Sequence, residues 1–169
     1  LVATDGSESS SAAERYGVSL AARLRARLAA LTVLEDCDVR APADDGLGVS
    51  GFPDSALAAY YRSRADATAR RFGERTRAEG IEASCEQAQG AADDRLVERA
   101  QGFDLLVLGR DGKGAAHRSA LMGSTVESVL RKTTKSALVV PTGASPSGPI
   151  VVGFDGSPGS RIAAKLAVD

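Results

Sequence analysis

The stretch FDLLVLGRDGKGAAHRSALMGST, residues 103–125, decides the fold. Its first seven residues form a continuous apolar run of strand length, the pattern of a strand buried on both faces of a parallel sheet. Gly109, Gly112, Gly114 and Gly123 follow, and the segment passes directly into VESVLRK, whose apolar residues step at helical spacing. A strand, a glycine-rich loop and a helix in this order read as part of an α/β alternation.

The same alternation recurs on either side. Residues 1–4 read as a short buried strand. Ala13, Tyr16, Leu20, Leu24 and Leu28 then step by three and four along an amphipathic helix, for which Ser11 and Glu14 supply a capping box. LAALTVLE at 28–35 is the second strand, and the polar, Gly- and Pro-bearing stretch 36–54 is a loop long enough to be mobile or a lid. Ala58, Tyr61, Ala65, Ala69, Phe72 and Thr76 line one face of a long helix that ends at Gly80, a natural C-terminal cap. Its other face is crowded with arginine and reads as solvated, with charge pairs four residues apart. Ile81, Ala83 and Cys85 alternate as a third strand, DDRLVERA at 93–100 is a short helix begun by acids, and SALVVP at 136–141 is the fifth strand.

Five strands separated by helical segments require crossovers of one hand, hence a mainly parallel sheet covered on both faces. The expected architecture is a doubly wound α/β domain with strand order 3-2-1-4-5. In such sheets ligands sit beyond the carboxyl ends of the strands where the order reverses. That rule sets TDGSES, after strand 1, opposite GRDGKGAAHRSALMGST, after strand 4.

Composition excludes several function classes. The chain has 169 residues, 43% of them hydrophobic, with a formal net charge of −1. A length of this order supports one ordinary globular domain that buries about 70% of its unfolded surface. The balanced charge lacks the clustered excess of Lys and Arg that marks a nucleic-acid surface. No apolar run reaches the roughly 20 residues that cross a bilayer, and no signal-like segment opens the chain, so a cytoplasmic location is expected. Cys37 and Cys85 are too few and too far apart for a disulfide framework or a zinc ligand set, and each reads as a free thiol.

The two ends of the chain resemble one another. IVVGFDGSPGSRIAAKLAVD at 150–169 repeats the opening LVATDGSESSSAAERYGVSL at a constant offset, so Asp155, Gly156 and Ser157 correspond to Asp5, Gly6 and Ser7, and Ala163 to Ala13. A strand–DGS–helix opening that recurs after a domain's length suggests a tandem protein. On this reading a first domain occupies 1–144 and a linker 145–149, within the Pro-, Gly- and Ser-rich PTGASPSGP. Residues 150–169 are then the first strand and helix of a second domain.

The loop after strand 4 carries the chemistry. Gly109, Gly112 and Gly114 permit positive φ and close backbone approach, and the helix that starts near Gly123 offers free N–H groups and the positive end of its dipole to a phosphate. Ser124 and Thr125 add hydroxyl donors; Ser124 with Glu127 also fits a capping box compatible with anion binding. Lys113 and Arg118 are within reach of phosphates as charged donors, or simply keep the loop soluble. His117, the single histidine, lies in this loop and reads as an ordinary exposed side chain.

These residues, with the DGS turn and its restart at 150, resemble the universal stress protein family, whose UspA-like members have a Rossmann-like α/β fold. Members that bind ATP carry G-x2-G-x9-G-[ST] after strand 4. Here Gly109-x2-Gly112 is followed by ten residues before Gly123-Ser124, one more than the pattern, and counting from Gly114 gives eight. The resemblance implies that Gly109, Gly112, Gly123 and Ser124, with Thr125 beside them, surround the ribose and phosphates. It further implies that Asp5 and Val33 meet the adenosine portion, and that ATP, with or without Mg2+, is the ligand. Read without the resemblance, an acid before Gly-Ser commonly just shapes the turn.

Enzymatic constellations find little support. The P-loop pattern is absent, GKG at 112–114 lacks the hydroxyl that would hold magnesium, and neither H-E-x-x-H nor G-x-S-x-G occurs. A nucleotide-dependent stress-response signalling module, with at most slow ATP hydrolysis, is the expectation. The alternative is a nucleotide-free dimeric scaffold of the same family, which the resemblance implies would pair through strand 136–141, as homodimer or between tandem copies. An adenylating enzyme is weaker for want of a substrate domain. An NAD-type domain is weaker still, because TDGSES does not supply G-x-G-x-x-G after strand 1.

Overall fold

The computed structural model describes residues 1–35, 54–112, 122–145 and 147–168. Within them the elements are β1 (Val2–Ala3), α1 (Glu8–Leu24), β2 (Leu28–Leu34), α2 (Asp54–Ala78), β3 (Ala83–Gln89), α3 (Ala92–Ala100), β4 (Leu105–Gly109), α4 (Ser124–Lys132), β5 (Ser136–Val140) and α5 (Pro158–Val168). The strands form one parallel sheet in the order β3-β2-β1-β4-β5, as the sequence pattern predicts. Cys37, most of the proposed lid at 36–54, and Lys113, Gly114, His117 and Arg118 lie outside the described residues.

Alternation along the central strands sends side chains into two cores. Val2, Leu28, Ala30 and Val107 pack under α1 and α2 with Ala13, Val18, Ala21 and Phe72, while Leu1, Ala29, Leu31, Leu106 and Leu108 pack under α3 and α4 with Leu96, Ala100, Val126 and Val129. Each fully buried Leu or Phe among these contributes about 2 kcal/mol or more. The helices on one face are thus α1 and α2, and on the other α3 and α4.

The buried face of α1 is not the leucine stripe that the spacing suggests. Ala13, Gly17 and Ala21 face the sheet, Leu24 is 69% exposed, and Leu28 belongs to β2. The reason is close approach, since a Cβ at Gly17 would stand 2.4 Å from Val2 Cγ2. The N-cap also differs from the expected Ser11–Glu14 box: Ser7 caps α1, its hydroxyl accepting the Ser10 N–H at 3.1 Å.

Glu14 is instead drawn inward. Its side chain is 2% exposed, accepts the Thr4 hydroxyl at 2.5 Å and pairs with Arg75 of α2 at 2.9 Å. Arg75 also donates to the Ser11 carbonyl and hydroxyl, so this arginine leaves the solvated set expected of α2. On the opposite face, Asp93 of α3 accepts from Lys132 at 2.6 Å and from the Ser128 hydroxyl. Those partners, Lys132 first, hold the Asp93 carboxyl at about 2 and tie α4 to α3. The first clasp sets the turn after β1 and the second the direction of α4.

Candidate functional site at the sheet switch point

Because all five strands run parallel, the loops after β1, β2 and β4 emerge at one edge of the sheet. Register aligns Val2 with Ala30 and with Val107, so continuing it three residues sets Asp5 level with Val33 and Arg110. Strand order reverses between β1 and β4, where a crevice is expected.

The turn after β1 is built by its own side chains. Asp5 Oδ1 accepts the Ser7 N–H at 2.9 Å, and Gly6 takes φ +79°, which lets the chain reverse into α1. The other carboxylate oxygen faces Gly112: a Cβ there would stand 3.9 Å from Asp5 Oδ2 and meet nothing else within 4 Å among the described residues. Val33 is partly buried against the core beneath α3 and α4.

The glycines have separate jobs, and positive φ is not one of them at Gly109 or Gly112. A Cβ at Gly109 would lie 2.6 Å from the Ser9 carbonyl carbon and 2.7 Å from Ser10 N, so its bareness serves the packing of β4 against α1. Among the described residues, Gly112 faces only Asp5. Gly123 sits where a Cβ would come 3.2 Å from the Arg110 carbonyl oxygen, to which its own N–H donates at 3.1 Å. The two ends of the loop are therefore in direct contact.

Gly123 is the N-cap of α4, and no side chain caps the helix among the described residues. The Ser124–Glu127 box is not formed, because Glu127 pairs with Arg131 at 2.5 Å instead. The first-turn N–H groups of Ser124, Thr125 and Val126 therefore lack an intrahelical carbonyl and, among the described residues, a side-chain cap, beside an exposed Ser124 hydroxyl. Uncapped N–H groups and the helix dipole attract an anion. Asp111 would oppose it, but Arg110 pairs with that carboxylate at 3.1 Å and offsets the charge.

Thus Asp5, Gly112, Gly123, Ser124 and Thr125 gather at the switch point, Gly109 lies behind them as a packing residue, and Val33 flanks them. Sequence reasoning passed over Ser9. It is buried, donates to the Val140 carbonyl at 3.2 Å and accepts the Asp111 N–H at 3.1 Å. Nothing distinguishes it from its neighbours in the run ESSS, so no sequence signal pointed there. Burial pushes the Cys85 thiol above its ordinary range, which keeps it an unreactive part of the core margin. The described residues contain no group of three or more metal-ligating side chains, and no helix among them is long and apolar enough to cross a membrane.

Comparison with known proteins bears on this geometry. The model of the universal stress protein family matches residues 1–141. A universal stress protein of Mycobacterium tuberculosis (strain ATCC 25618 / H37Rv) is 41% identical over 69 residues, covering 38% of this chain and 22% of the relative, so the match spans about a fifth of that protein's length. Among solved structures, universal stress protein UspA from Lactobacillus plantarum superposes with a TM-score of 0.69 at 26% identity, covering 82% of this chain and 94% of that one. A universal stress protein in complex with cAMP superposes with a TM-score of 0.55 at 29% identity, covering 83% and 94%.

Proposed function

The chain belongs to the universal stress protein family, and from that premise we propose that the crevice between the β1 turn and the glycine loop binds an adenine nucleotide, with ATP as the ligand. The observation that carries this reading is that, among the described residues, no side chain caps the start of α4 where it meets the beginning of the glycine loop, and a Cβ at Gly112 would meet only Asp5. The first-turn N–H groups and the Ser124 and Thr125 hydroxyls would take phosphate oxygens, Asp5 the ribose or base edge, and Val33 the flat apolar face of the adenine. Magnesium, where present, would arrive on the phosphates, with Asp5 and Asp111 as nearby carboxylates. A relative solved with cAMP supports the ligand class. Occupancy would bridge the β1 turn and the start of α4 and so shift the balance between conformations with different partners, which is the physics a signalling module needs.

The extra residue in the loop is compatible with this reading. A Cβ at Gly123 would stand 3.6 Å from Gly112 N, so the ten residues 113–122 close a loop whose ends already touch. Lengthening such a loop from nine residues to ten costs about 0.1 kcal/mol of closure entropy.

Calorimetric titration of nucleotide-stripped protein with ATP, AMP and GTP, with and without magnesium, tests the proposal. Micromolar, adenine-selective binding is expected, and Gly112→Leu, whose side chain would extend towards Asp5 and meet no backbone among the described residues, should abolish it while leaving the melting temperature nearly unchanged. Absence of heat together with an unchanged melting temperature at millimolar ATP would reject the proposal. It would favour a nucleotide-free scaffold that pairs through β5, a sheet-edge strand whose Leu138 and Val139 are only half buried.

We further propose that residues 150–169 open a second domain of the same kind, following the first at 1–144 and the linker at 145–149. The DGS turn at 155–157 repeats the hydrogen bonds of the first turn, which supports that organisation.

A further inference from the structure

Ser9 occupies the second position of α1 and is buried at the meeting point of three chain segments. Its hydroxyl has one proton and two lone pairs. The proton goes to the carbonyl of Val140 at the end of β5, and a lone pair accepts the N–H of Asp111 at the start of the glycine loop. The Val140 carbonyl also accepts the Arg110 N–H at 2.8 Å, and the Arg110 carbonyl accepts the Gly123 N–H at 3.1 Å. Four hydrogen bonds therefore run without a break from α1, through the ends of β5 and β4, to the N-cap of α4.

We infer that Ser9 is a positioning residue for the nucleotide crevice: it fixes the first residues of the glycine loop so that their backbone faces the start of α4 before any ligand arrives. The inference rests on the nucleotide reading given above. Its physical content lies in which group loses its partner when the hydroxyl is removed. Val140 keeps the Arg110 N–H, so the end of the sheet stays bonded, while the Asp111 N–H loses its partner at the loop's first turn. The damage falls on the loop rather than on the core. A loop freed at one anchor must be ordered by the ligand, and that ordering is subtracted from affinity. Ser9 corresponds to Gly159 at the repeat, so the device belongs to the first domain alone.

The test compares Ser9→Ala, Ser9→Thr and Thr76→Ala, the last removing a buried hydroxyl of α2 that donates to the Gly73 carbonyl within its own helix. ATP affinity is measured by calorimetry, and exchange of the Asp111 amide with deuterium is followed in the ligand-free protein. Expected for Ser9→Ala are a Kd raised about tenfold and Asp111 exchange faster by a similar factor, the worth of one buried hydrogen bond. Ser9→Thr, which keeps the hydroxyl, should restore both, and Thr76→Ala should change neither. Should the alanine variant not fold, Ser9→Cys, a weaker donor and acceptor, takes its place with the same direction expected. Wild-type affinity in Ser9→Ala overturns the inference and leaves the nucleotide reading standing. Equal weakening in Thr76→Ala also overturns it, by reducing Ser9 to general stability. A wild-type protein that binds no ATP overturns both.

Discussion

Residues 4–14 and 154–164 carry one turn in two settings. In both, the aspartate Oδ1 accepts the N–H two residues on at 2.9 Å, and the serine hydroxyl caps the helix at 3.1 or 3.2 Å. The glycine between them takes φ +79° or +80°. The surroundings differ completely. Val2 is fully buried in a strand paired on both sides, whereas Val151 is 92% exposed and residues 150–154 form no strand, although one was expected there. The turn is therefore written in local hydrogen bonds, while a strand exists only when neighbours accept and donate along it. The polar anchors of the first setting have no counterparts in the second, where Phe154, Gly159 and Ala164 replace Thr4, Ser9 and Glu14.

The sharpest way to break this contrast is to unseat the first copy. Gly109→Ala drives a methyl group into the backbone of Ser9 and Ser10, and should destabilise the domain by about 3 kcal/mol, at the upper end for overpacking because neither neighbour is a side chain that can rotate away. Urea denaturation measures it, and a loss below about 1 kcal/mol would mean that α1 shifts freely on the sheet. Glu14→Ala comes next. It leaves Arg75 without its carboxylate, and since Arg75 keeps 28% exposure the expected loss is about 2 kcal/mol rather than the larger value of a fully buried pair. Double substitution with Arg75→Met should recover part of that loss; if it does not, the pair is not the source of the effect.

Acid separates the local turn from its setting. The Ser157 hydroxyl and N–H, with the Ser160 hydroxyl, hold the Asp155 carboxyl at about 2, down from 3.8. A depressed carboxyl favours the folded turn above its ordinary value and loses that contribution as pH falls towards 2. An NMR titration of Asp155 should therefore show a midpoint near 2, although the segment lacks a sheet; a midpoint near 3.8 would show that the turn needs its surroundings. The smallest effect is expected at Gly153→Ala, where a Cβ meets nothing within 4 Å among the described residues and stability should not change. A measurable loss would reveal packing around 150–154 that is absent among the described residues.

Much of the fold was legible because its signals are local or topological. The apolar runs at Leu28–Leu34, interrupted only by Thr32, and at Leu105–Gly109 mark strands buried on both faces, and the alternation with helices leads to a parallel sheet. The features that escaped are those decided by contact between distant segments. The Ala13–Gly17–Ala21 face of α1 outcompeted its leucines because the helix lies so close to β1, and small residues carry little periodic signal. Glu14 and Arg75 find each other across most of the first half of the chain, which no spacing rule detects. Among serines 7, 9, 10 and 11, only three-dimensional packing decides that Ser7 caps and that Ser9 bridges. At the candidate site the residue types were legible, but their division of labour was not. Gly109 answers to α1, Gly123 to Arg110, and Gly112 faces Asp5 across the switch point.

The most direct measurement is the change in backbone amide resonances on adding ATP to nucleotide-free protein, read at both copies of the turn. Saturable shifts at Asp5, Asp111, Gly112, Gly123, Ser124 and Thr125 at micromolar ATP, with Gly156 and Ser157 unmoved, are the predicted result. Silence at the first set in millimolar ATP, or equal shifts at the exposed repeat, would contradict an adenine-nucleotide crevice at the switch point.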